Sequence, residues 1–148
     1  QLSFPATQNA SADANTLDDY EEGTFTPAMT FGGSATGVTF TTQSGRYTKI
    51  GREVFFDIFI NLSNNGSGTG SAAITGLPFT SVAGVGSVAA VSNWANFSGV
   101  VGNPVGLVRV SDTTISLNMS GAAASVAMTD TNITNTASFT ISGRYAST

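Results

Sequence analysis

The chain has 148 residues, a formal net charge of −4, and 41% hydrophobic against only 9% charged residues, where an ordinary soluble domain carries about 25% charge. It contains no Cys and no His, which excludes disulfides, Cys nucleophiles, His-based triads and the usual zinc sites. Five Lys and Arg give no reason to expect nucleic acid as a partner, and no apolar run nears the ~20 residues of a membrane-spanning helix, so membrane insertion is not expected.

The length fits one domain with a sizeable core. Its Thr and aromatic content, with few good helix formers, points to an all-β fold. Gln1 opens no signal peptide, and without an initiator Met the chain is expected to begin partway through a longer protein.

Residues 1–22 show no sustained period and are predicted to be an extended arm. This arm holds five of the nine acids: Asp13, Asp18, Asp19, Glu21 and Glu22. From Gly23 onward a period of two takes over. Phe25, Met29 and Phe31 share one strand face, with Pro27 marking an edge or bulge because it has no N–H to donate. Val38, Phe40 and Thr42 resume the alternation after the turn GGSATG, and the run from Gly45 to Ser63 reads as two strands joined near Gly51.

The second of these strands puts Val54, Phe56, Ile58, Ile60 and Leu62 on one face and Glu53, Phe55, Asp57, Phe59 and Asn61 on the other. Two Phe among polar residues do not suit a face open to bulk water, so this side is expected to be half-buried, under a loop or against another subunit. After the loop NNGSGTG (64–70), short strands are predicted near Ala72 to Thr75, Ser87 to Asn93, Gly106 to Val110 and Thr114 to Met119. A last strand places Phe139, Ile141 and Tyr145 opposite Ser138, Thr140, Ser142 and Arg144. Eight or nine strands with no helix predict a β-sandwich or jelly roll over residues 23–148.

Little in the chain suggests catalysis or a cofactor. The run from Asp13 to Asp18 begins like a calcium loop, but Asp18 stands where the turn Gly belongs and Thr24 where the closing Glu belongs, so no metal is expected. GSGTGS (66–71) lacks the context of a dinucleotide loop. Glycosidases need two facing carboxylates, whereas the acids outside the arm (Glu53, Asp57, Asp112, Asp130) are scattered; no catalytic residue is assigned.

Two features suggest binding. SNWANF (92–97) offers Trp94 and Phe97 as flat faces for a sugar ring and Asn93 and Asn96 as amides for its hydroxyls; the alternative is that Trp94 caps the core. Arg46, Lys49 and Arg52 form a basic strip that the acidic arm can meet, either tying the arm down within a subunit or setting register between subunits. A solvated acidic linker remains the alternative on charge alone.

Three stretches, FPATQNASADANTLDDYEEGTFTP, GRYTKIGREVFF and ITGLPFTS, occur in one order from Phe4 to about Thr80 and resemble the terminal domain of bacteriophage tail fibre and tailspike proteins; FTISGRYAS matches more loosely. Phe25 stands where that family more often has Trp, and Arg52-Glu53 where it more often has Asn-Arg. The resemblance implies a homotrimeric β-rich module at the virion's distal fibre tip, acting outside the cell on a bacterial surface polysaccharide or lipopolysaccharide. It supplies no catalytic residue. The expected subunit interface then comprises Phe55, Asp57, Phe59, Arg46, Lys49, Arg52, Asp18, Asp19, Glu21 and Glu22, and the expected non-enzymatic role is receptor binding or, alternatively, trimerisation alone.

Overall fold

The long alternating runs in the middle and at the end of the chain become the widest part of a single sheet. In the computed structural model, which describes residues 3, 7, 12, 13, 16, 17, 19–121 and 124–148, ten strands follow one another: β1 (Tyr20–Phe25), β2 (Ala28–Phe31), β3 (Val38–Ile50), β4 (Glu53–Asn65), β5 (Ala72–Thr75), β6 (Ser87–Phe97), β7 (Asn103–Val108), β8 (Ile115–Ser120), β9 (Ser125–Ala127) and β10 (Ile133–Ala146). There is no helix among the described residues. Every pairing is antiparallel, in the order β1-β3-β4-β10-β6-β7-β8-β5-β2, with β9 added on β8. With 13, 13 and 14 residues, β3, β4 and β10 each run about 44–48 Å at the usual rise of an antiparallel strand.

The sheet curls. Strands β1 and β2 lie at opposite ends of the strand order, yet only Thr26 and Pro27 separate them. Phe25 and Ala28 are therefore no more than about 11 Å apart, and the two edges of the sheet must come together. Pro27 sits at this switch because it has no ladder N–H to lose, and Gln43 of β3 fixes it by donating its amide N–H to the Pro27 carbonyl at 2.8 Å. The predicted edge or bulge at Pro27 is thus a change from one sheet edge to the other.

Alternation fills the inside of the curl. Val54, Phe56, Ile58, Ile60 and Leu62 of β4 meet Phe139, Ile141 and Tyr145 of β10, with Met29 and Phe31 of β2, Ile74 of β5 and Ile115 and Leu117 of β8 closing the core. All are at most 4% exposed. At roughly 1.5–3 kcal/mol for each large apolar side chain buried, these rows are the main source of stability. Two inward glycines make room for rings: a Cβ on Gly45 would lie 2.6 Å from the Phe25 ring, and one on Gly23 would lie 2.7 Å from the Tyr47 ring. The Phe25 ring therefore occupies the space over Gly45 and the Tyr47 ring the space over Gly23.

Two expectations change. The strand count among the described residues is ten, because β9 is three exposed residues with no apolar pattern and because the Phe25–Phe31 run divides in two. The arm does not extend to Glu22: β1 begins at Tyr20, and Gly51 already donates its N–H to the Asp19 carbonyl at 2.8 Å. Charge at Glu21 and Glu22 concealed a strand whose backbone is fully paired with β3.

Candidate functional site

The outer side of β1, β3, β4 and β10 collects Arg46, Phe55, Asp57, Phe59 and Glu22 of the residues expected at an interface. Across the ladders, Thr24 opposes Arg46, Arg46 opposes Asp57 and Asp57 opposes Ser142, while Thr48, Phe55 and Arg144 form the next row and Ser44, Phe59 and Thr140 the row beyond. Directly opposed residues share a face, so these form one patch. Arg46 Nε donates to Asp57 Oδ2 at 3.3 Å and Ser142 Oγ donates to Asp57 Oδ1 at 2.6 Å, so both carboxylate oxygens are engaged. Arg144 and Glu53 approach at 3.9 Å.

Small side chains beside large ones leave hollows on this patch. One of ≈ 320 Å³ lies between Phe55, Thr48, Ser142 and the Arg46–Asp57 pair; another of ≈ 460 Å³ lies on the other side of that pair, against Phe59, Ser44 and Thr140. Among the described residues no loop covers Phe55, which is 43% exposed, and Phe59 is half-buried. Tyr20 and Ile50, paired across β1 and β3, extend the exposed apolar surface toward the start of β1.

The expected basic strip separates by face. Residues three apart on a strand point to opposite sides, so Arg46 faces outward while Lys49 faces inward and is buried. Lys49 Nζ bonds Asp19 Oδ2 and lies 5.1 Å from the centre of the Phe79 ring. Asp19 and Lys49 therefore meet inside one chain, which is the first of the two arrangements expected for the acidic arm and the basic strip. Arg52 is exposed in the turn itself, where its carbonyl accepts the Ser147 N–H at 2.7 Å. Glu21 lies in the inner row opposite Lys49, Glu22 faces outward and accepts from the Tyr20 hydroxyl, and Asp18 lies outside the described residues.

Trp94 occupies a different site. Between Ser138↔Ala95 and Thr140↔Ser92 the register of β10 and β6 shifts, giving β6 one additional residue. Asn93 takes this bulge in the left-handed region at φ 47, and Asn96 follows at φ 60; Asn tolerates that conformation better than most residues. A bulge redirects the side chains around it. Trp94 stacks on Phe97, ring centres 5.4 Å apart and planes 24° apart, and Phe97 meets the buried Phe139 edge-on at 5.6 Å. Trp94 is 43% exposed, so it is the open outer member of an aromatic stack rooted in the core. Asn96 is tied to β10, donating to the Thr136 carbonyl at 3.0 Å and accepting from Thr134 Oγ1 at 2.6 Å, while Asn93 is exposed.

No protein-family model matches the chain, and neither does any curated protein sequence. In three dimensions the chain is similar to Dettilon tailspike protein (gp208), with a TM-score of 0.71 and 19% identity over 86% of this chain. The match covers 24% of that tailspike, so this chain corresponds to about a quarter of its length. What the two share is the fold.

Proposed function

We propose that this chain is a non-enzymatic terminal module of a phage tail fibre or tailspike, a jelly-roll-like sandwich that assembles as a homotrimer and binds a bacterial surface glycan at the virion's fibre tip. Two kinds of support converge: the fold shared with part of a tailspike, and the resemblance in the three stretches between Phe4 and Thr80. The observation that carries the assembly is the outer row of β4. Phe55 and Phe59 stand on an unbroken ladder, next to hollows of ≈ 320 and ≈ 460 Å³, and a second copy of the chain would cover them. Trp94, stacked on Phe97 and open to solvent, is the surface for a neutral sugar ring.

Light scattering on the purified chain should give three times its 15.0 kDa mass, and Phe55→Asp with Phe59→Asp should give single chains that stay folded. A wild-type mass of 15.0 kDa at micromolar concentration would remove the trimer reading. The alternative function, trimerisation alone, is favoured by the long strands that bear the patch; under it Trp94→Ala leaves host-cell adsorption unchanged.

A further inference from the structure

Among the described residues Lys49 and Asp19 are the two buried opposite charges, at 7% and 9% exposure, and their surroundings bring reactive groups together. They lie where β1 begins and β3 ends, with the Asp19 carbonyl held by the Gly51 N–H at 2.8 Å. Lys49 Nζ bonds the Asp19 carboxylate directly. Phe79 lies 5.1 Å from that nitrogen, and Tyr47 meets Phe79 edge-on at 5.3 Å, so aromatic rings wall the pair off from water. Glu21 is directly opposite Lys49 in the ladder and two residues from Asp19, and therefore on the same inner face. Its charge is felt there: burial first and the Glu21 carboxylate second push the Tyr47 hydroxyl above its ordinary range, while Lys49 opposes them.

The geometry points to an intramolecular amide between Lys49 Nζ and Asp19 Cγ, formed spontaneously on folding with Glu21 moving the protons. Starting from the ion pair, Glu21 takes one proton from the Lys49 ammonium and passes it to the departing oxygen. The Nζ lone pair attacks Asp19 Cγ; a C–N bond forms and one C–O bond breaks. Two of the three ammonium protons leave with the departing oxygen as water, and the amide keeps the third. No oxidant, reductant or metal is needed. Holding the amine against the carboxylate supplies the effective concentration that such a reaction lacks in solution. The product would join the first strand of the sheet covalently to β3, fastening the point where the segment preceding Tyr20 enters the fold. This inference does not depend on the proposed function.

The test is the intact mass of the purified chain in denaturant. The expected mass is one water below that of the sequence, and digestion should yield one branched peptide carrying both Asp19 and Lys49. Lys49→Met should restore the full sequence mass, Glu21→Gln should leave a large uncondensed fraction, and Asp19→Asn should still close but release ammonia in place of water. A folded wild-type chain with the full sequence mass overturns the inference, as does a water loss that persists in Lys49→Met. A wild-type trimer with the full mass would overturn the amide alone, and a monomer lacking one water would overturn the trimer alone.

Discussion

Strand β10 has two edges, and they behave differently. Toward β4 it pairs without a break from Ala146↔Glu53 to Ser138↔Asn61; toward β6 it pairs through two register shifts. The unbroken edge preserves alternation across several strands, so one face is sealed core and the other is a flat patch of small, aromatic and paired charged side chains. At the shifted edge alternation fails, and an aromatic is carried from the core toward solvent. A regular ladder is suited to meeting a flat partner, and a bulge to presenting one side chain.

The most forceful way to break this comparison is to cut the aromatic stack at its two ends. Phe139 is fully buried and Trp94 is 43% exposed, although Phe97 touches both. Phe139→Ala should destabilise the chain by about 3–5 kcal/mol, as core truncations of this size do. Trp94→Ala should cost about 0.5–1.5 kcal/mol, the value of an aromatic pair beyond its burial. Denaturant unfolding of both variants checks the difference, and equal losses would mean that Trp94 belongs to the core after all.

A smaller effect separates the inner row of β10 from its outer row by pH. Tyr145 lies on the inner row at 2% exposure, and burial pushes its hydroxyl up to about 12, against the Phe79 N–H that its oxygen accepts at 3.3 Å. The unfolded chain releases this proton near pH 10. The folded pKa is the higher one, so the contribution is complete below pH 10 and is lost as pH rises toward 12, by about 2–3 kcal/mol in all. Stability measured from pH 8 to 12 should fall with this slope in the wild type and more shallowly in Tyr145→Phe, with the slope contributed by Tyr47 remaining in both.

These contrasts explain which features were legible in the amino acids. The alternation of Val54 to Leu62 and of Ser138 to Tyr145 is a backbone property that every residue there obeys, so the faces could be read directly. The same rule, applied to Arg46 and Lys49, places them on opposite sides; reading them as one strip treated strand residues by proximity in sequence. The β1 strand was hidden because the inner-row position of Glu21 holds a charge, and only the buried Lys49 opposite makes that arrangement intelligible. The bulge at Asn93 leaves no periodic trace. Its one signal is the pair of Asn residues at 93 and 96, both in the left-handed conformation that Asn accepts.

The smallest expected effect on the chain itself is the sharpest for the outer patch. Arg46 and Asp57 carry side chains 79% and 50% exposed, and an exposed pair of this kind contributes about 0.2–1 kcal/mol. Arg46→Ala should therefore leave unfolding of the separate chain nearly unchanged. Between copies the same pair would be desolvated, and removing one member of a buried, hydrogen-bonded pair costs about 2–5 kcal/mol, enough to raise the dissociation constant of the assembly more than tenfold. Sedimentation across a concentration series distinguishes the two regimes. A variant that assembles like the wild type means that the Arg46–Asp57 row faces solvent in the proposed assembly, and that the proposed contact between copies lies at the Tyr20–Ile50 end of the same face.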